Sequence, residues 1–113
     1  MKVLVINAGS SSLKYQLLDM KKEKLIAKGN CEKIGLAGSF VSLKANGTEK
    51  IVKVKLDNHD DAMENVIKLL LDKENNVLSS LSEIVAFIFV FSSFSINDVA
   101  IICSGMITSF SIS

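Results

Sequence analysis

Apolar positions recur along this chain with two different periods, and the places where the period changes divide it into segments. Val3, Leu4, Val5 and Ile6 form an unbroken apolar run, so Lys2 to Asn7 is expected to be a strand covered on both faces. Leu13 to Asp19 alternates instead, with Leu13, Tyr15 and Leu17 on one face and Lys14, Gln16 and Leu18 on the other. Only Ala8 to Ser12 separates the two runs, which predicts an antiparallel hairpin. After a charged turn at Met20 to Lys24, the extended pattern resumes from Leu25 to Lys33 through Ile26 and Cys31 as a third antiparallel strand. Gly35 and Gly38 mark a hinge-like stretch. Phe40 to Ala45 and Glu49 to Asp57 then alternate on either side of Asn46-Gly47, the strongest short-range hairpin signal.

From Asp57 the period lengthens. Met63, Val66, Ile67, Leu70 and Leu71 make one apolar stripe, which predicts an amphipathic helix over Asp57 to Glu74 that covers a sheet face. Asp57 or Asn58 can cap it, and Asp60, Asp61 and Glu64 suit the positive end of its dipole. Asn75 and Asn76 end it, and Val77 to Leu81 is expected to form a further short helical turn. Ile84 to Phe91 is wholly apolar and rich in β-formers, so a buried strand is expected; its eight residues fall well below the roughly 20 that span a membrane. Ser92 to Ser113 mixes serine with Phe, Ile and Val and takes no assignment. A hydrophobic, nearly uncharged, proline-free tail of this kind is an aggregation hazard unless something covers it.

Composition sharpens the division near residue 84. All thirteen cationic residues are lysines and lie, with eleven of the twelve acids, in residues 1–83, whereas the remainder holds Asp98 and five of the six phenylalanines. At 113 residues the chain is one domain or part of one. A net charge of +1 excludes a nucleic-acid binder that works through the phosphate backbone, because that footprint needs a basic surplus. Cys31 and Cys103 form neither a zinc motif nor a disulfide framework and read as reduced thiols. The first apolar run is too short for a signal peptide, and a cytoplasmic location is expected.

The chemistry is stated at one place, the Gly-Ser turn after the first strand. Gly9 permits a positive φ and lets a ligand approach the backbone closely, and Ser10, Ser11 and Ser12 add hydroxyls to the turn's N–H groups. Lys14 can set an ammonium near phosphoryl oxygens, and Asn7 offers a carbonyl oxygen to a metal-bound water or a substrate. A phosphate is the natural guest of so many donors. The turn is not a Walker A loop, in which the lysine follows a second glycine and opens a helix. A Gly-Ser-Ser-Ser segment taken alone is better explained by turn geometry, because serine-rich turns are common.

The longer string Asn7-x-Gly9-Ser10-Ser11-Ser12-x-Lys14 resembles the N-terminal signature of the acetate kinase family, within the actin-like superfamily. The resemblance runs on through Asn58-His59 at the helix start to Ser79-Leu81-Ser82-Glu83-Ile84, covering residues 1–86. It implies an α/β fold: the N-terminal part of an actin-like (ribonuclease H-like) ATPase domain, with a mixed sheet beginning with an antiparallel hairpin and a second hairpin inserted at residues 39–56. It also implies reversible phosphorylation of acetate by ATP to acetyl phosphate, with Mg²⁺. Gly9, Ser10, Ser11, Ser12 and Lys14 would then contact nucleotide phosphate or the transferred group, and Asn7 would assist the metal.

The same resemblance exposes departures. Where the family carries a Gly-His-Arg-Val-Val-His-Gly-Gly-type motif, this chain has Phe87-Ile88-Phe89-Val90-Phe91-Ser92-Ser93-Phe94, and it contains no arginine. His59 reads as a surface or capping residue and Asp98 as a lone carboxylate, so no residue is assigned a catalytic role. Residues 87–113 are expected to be a hydrophobic tail unrelated to the family pattern, following truncation or a frameshift near residue 86. The isolated chain is then expected to be inactive and not to form the family's homodimer. The alternatives are a nonenzymatic remnant that binds phosphate or nucleotide weakly, and a small interaction protein docking through its apolar tail. With the acid-binding residues missing, acetate and propionate are not distinguished.

Overall fold

The computed structural model describes residues 1–90. They form a single six-stranded sheet in the order β5-β4-β3-β2-β1-β6, with one helix on one face. β1 (Lys2–Ala8), β2 (Leu13–Asp19), β3 (Lys24–Glu32), β4 (Phe40–Ala45) and β5 (Thr48–Lys53) form an antiparallel meander in chain order. β6 (Ile84–Val90) returns to the outer side of β1 and pairs with it in parallel. The sheet is therefore mixed, as the resemblance implied.

The unbroken apolar run of β1 is buried on both faces. Leu4 and Ile6 join Leu13, Tyr15 and Leu17 in the core beneath the helix α1 (His59–Leu71), while Val3 and Val5 cluster with Leu18 and Ile88 on the opposite face. Each fully buried leucine or valine contributes about 1.5–3 kcal/mol, so this central ladder is where the sheet is anchored.

α1 begins two residues later and ends three residues earlier than its apolar stripe suggested. Asn58 is the cap, its side-chain oxygen accepting the Asp61 N–H at 2.9 Å, and the chain leaves the helix at Asp72. The buried stripe is Ala62, Val66, Leu69 and Leu70, with Met63, Ile67 and Leu71 half-buried beside it. A 3₁₀ turn at Lys73–Asn75 follows, ending at Asn76 in the left-handed region. Asn46 at the β4–β5 tip reaches this turn, donating to the Asn75 carbonyl at 2.9 Å. Asn46 and Gly47 both have positive φ, 53° and 77°, the geometry that the Asn-Gly hairpin signal calls for.

The second 3₁₀ turn lies at Leu81–Glu83 and not at Val77–Leu81. Ser80 and Glu83 form a reciprocal capping box there, and Lys2 Nζ meets Glu83 Oε1 at 2.7 Å, which brings the start of β6 to the start of β1. β6 is a strand as expected, but only one side of it is covered. Ile84 and Ile88 are buried, whereas Val85, Phe87 and Phe89 are 59%, 44% and 53% exposed. β6 also runs across residue 86, where the kinase-like segment was expected to stop. Phe91, Asp98, Cys103 and the rest of the apolar tail lie outside the described residues.

One irregularity interrupts the β3–β4 ladder. Its pairs run Ala27↔Ala45 and Lys28↔Lys44, then resume at Cys31↔Val41. At the gap Ser42 exchanges side-chain hydrogen bonds with Asn30, and the Tyr15 hydroxyl donates to the Ser42 carbonyl at 2.7 Å. The Tyr15 hydroxyl and ring pass so close to Gly29 that a Cβ there would clash with them and with the Ser42 carbonyl oxygen. Burial raises the pKa of the Tyr15 phenol, so it remains a neutral donor.

Candidate functional site

The hairpin register places the candidate residues together. Asn7 and Lys14 are direct partners across β1 and β2, and Ala8 pairs with Leu13, so residues 9–12 form the whole turn. By strand alternation Asn7 and Lys14 share the face opposite Leu13 and Tyr15, away from α1. Lys14 is exposed and makes no ion pair among the described residues. It opens onto a shallow groove of about 200 Å³ that is also lined by Lys28, Asn30, Ser42, Lys44 and Glu49.

Gly9 earns its place differently from the sequence expectation. It is not among the positive-φ residues; its lack of a side chain lets Ser12 Oγ fold over it, and a Cβ would approach that oxygen to 2.8 Å. The Gly9 N–H closes the hairpin by donating to the Ser12 carbonyl at 2.9 Å.

The turn's carbonyls are held by donors from two distant segments. The Ile34 N–H donates to Ser11 O at 2.9 Å. His59 Nε2 lies 2.7 Å from Gly9 O and 3.2 Å from Ser12 O, and since a carbonyl can only accept, that nitrogen carries a proton. Three acceptors of the turn are thereby consumed internally. The hydroxyls of Ser10, Ser11 and Ser12 make no hydrogen bond to a described residue and stay available as donors. That asymmetry favours an anionic guest.

His59 is the residue whose part sequence reasoning missed. It is the first residue of α1 and half-buried, and Asn58 does the capping. Nothing local announces its contacts, since Gly9 and Ser12 lie 50 and 47 positions away. Below the turn, Cys31 pairs with Leu13 and is fully buried. Burial, aided by the nearby Glu32 charge, pushes its thiol up to about 12, so at neutral pH it is a packing residue and not a nucleophile.

A divalent cation has a limited donor set here. Among the described residues no three His, Cys, Asp or Glu side chains converge on one point. The turn's side-chain oxygens are serine hydroxyls, a set that suits a Mg²⁺ bringing its own waters and phosphate oxygens rather than a caged protein metal. Among the described residues no helix is long and apolar enough to cross a membrane.

Solved structures share this fold. Porphyromonas gingivalis acetate kinase superposes on 78% of this chain with a TM-score of 0.74 and 40% identity, the match covering 22% of that protein. A propionate kinase from Francisella tularensis matches 78% of this chain and 21% of its own, with a TM-score of 0.67 and 25% identity. The fold is thus the N-terminal part of an actin-like ATPase domain. In sequence, a Clostridium botulinum acetate kinase is 51% identical over 86 residues, which are 76% of this chain and 22% of that protein. A model of the Acetokinase family matches residues 2–106, and the chain belongs to that family. It spans about a fifth of the length of the relatives it matches.

Proposed function

We propose that residues 1–90 carry the phosphate-contacting corner of an acetate kinase, acting in the ATP-dependent phosphorylation of acetate to acetyl phosphate. The observation that supports this best is the turn itself: its carbonyls are tied back by His59 and Ile34 while three serine hydroxyls stay open beside Lys14. Phosphoryl transfer depends on positioning and on charge that offsets the equatorial oxygens. Ser10, Ser11 and Ser12 would orient the nucleotide phosphates, Gly9 would admit them closely, and Lys14 would supply a compact positive charge. Bound Mg²⁺ would neutralise phosphate charge, with Asn7 holding one of its waters. Cytoplasmic acetate is the acceptor in this reading.

The chain by itself is proposed to bind nucleotide without turning it over. It contains no arginine to neutralise charge at the transferred group. Titration calorimetry with MgATP is expected to show binding by the wild-type chain that weakens about tenfold in Lys14→Ala, the size of one charge-assisted hydrogen bond. A coupled assay for acetyl phosphate is expected to read background. Equal MgATP affinity in both proteins removes Lys14 from the site, and turnover above background refutes the inactivity.

A further inference from the structure

We propose that His59 is a positioning residue for the serine-rich turn, presenting an Nε2–H from the first turn of α1 that fixes which way the turn's carbonyls face. This rests on the phosphate reading above and names the device that prepares that site. The geometry is specific. One ring nitrogen reaches the carbonyls at both ends of the turn, Gly9 O at 2.7 Å and Ser12 O at 3.2 Å. Ser12 O also receives the Gly9 N–H that closes the hairpin, so the imidazole and the closing bond converge on one oxygen.

Without the imidazole the Gly9 carbonyl would be left to rotate its negative end toward an incoming phosphate, and Ser12 O would be held by the closing Gly9 N–H alone. Tied to His59, both carbonyls are engaged by the helix, which leaves the serine hydroxyls as the turn's uncommitted polar groups. The helix is in turn fixed by Asn58, whose cap bond to the Asp61 N–H sets the backbone that carries His59. Ala62, one turn further on, is fully buried against the sheet, and its carbonyl lies 3.9 Å from Cys31 Sγ beneath the turn. The imidazole therefore stands on a rigid base. Its ordering cost is met when the protein folds and is not charged to ligand binding.

The test compares the 113-residue wild-type chain with His59→Phe, which keeps a ring but removes the donor, and His59→Gln, which restores an N–H at similar reach. With circular dichroism confirming that each variant is folded, MgATP affinity is expected to fall about tenfold in His59→Phe, the worth of a hydrogen bond of about 1.4 kcal/mol. It is expected to recover at least partly in His59→Gln. Wild-type affinity in a folded His59→Phe protein overturns the proposal, because a purely space-filling role predicts that result. Imidazole ¹⁵N spectra of the wild type give a reading that needs no variant: an Nε2-protonated ring is expected, and a ring protonated only at Nδ1 overturns the proposal. Should the wild type bind no MgATP, the phosphate reading fails on its own. The amide resonances of Gly9 to Leu13 then decide the role of His59: they are expected to shift or broaden in His59→Phe and return in His59→Gln, and unmoved resonances overturn it.

Discussion

At Gly29 the sheet has no room for any side chain. The Tyr15 ring crosses that position to deliver its hydroxyl to the Ser42 carbonyl, bridging the gap in the β3–β4 ladder. Gly29→Ala is expected to destabilise the fold by about 3 kcal/mol, the upper part of the usual overpacking range, as measured by urea unfolding. An unchanged midpoint would mean that the ring can swing aside. Gly9 and Gly29 share a logic: each is small because a neighbouring side chain passes over it, and neither has a positive φ. Sequence alone favoured the conformational reading at Gly9, because the neighbour that needs the space is specified only once the chain has turned. The same holds for His59. Asn7, the three serines and Lys14 were legible as a donor-rich group because they are adjacent in the chain; the imidazole that orders them arrives from a distant helix.

Among the elements, the short turn before β6 does more than its length suggests. Glu83 accepts the backbone N–H groups of Ser79 and Ser80 and the Lys2 ammonium, and these contacts hold its carboxyl down at about 2, led by the bond to Lys2. Because the folded value lies below the ordinary 4.5, this contribution to stability is fully present above about pH 4.5 and is lost as pH falls through about 2. Melting midpoints followed from pH 6 to pH 2 are expected to decline less steeply in Glu83→Gln than in the wild type. Parallel curves would show that Glu83 does not feel the fold. Local rules read well wherever one period governed a whole segment. The β1–β2 and β4–β5 hairpins follow from continuous or alternating runs and, in the second, from an Asn-Gly that adopts the required backbone. They read less well where tertiary contacts set the limit. β5 stops at Lys53 because the chain must turn for Leu56, fully buried on a loop, to bond with the Ser39 hydroxyl and the Gly35 N–H. Leu69 and Ala62 join Val66 and Leu70 on the helix's buried face, while Met63, Ile67 and Leu71 of the stripe that sequence favoured are only half-buried beside it.

For the molecule as a whole, β6 matters most. Among the described residues it is the outermost strand on its side of the sheet, and Val85 and Phe87 are exposed along it. Such an edge is a template for self-pairing. In sedimentation velocity, Phe87→Lys is expected to reduce concentration-dependent association relative to the wild type; identical profiles would place the contact elsewhere. β6 is also the partner that completes β1, and here sequence distance has a kinetic meaning. The Ala8–Leu13 hairpin closes over a few residues, whereas the Lys2–Glu83 bond joins groups 81 positions apart. That is about four doublings of loop length, which adds about 2.5 kcal/mol of closure entropy. During synthesis the meander of β1 to β5 can form long before β6 leaves the ribosome, so β1 waits for its second neighbour while β2, β3 and β4 already have theirs. Until it arrives, β1 is the open edge of a five-stranded meander.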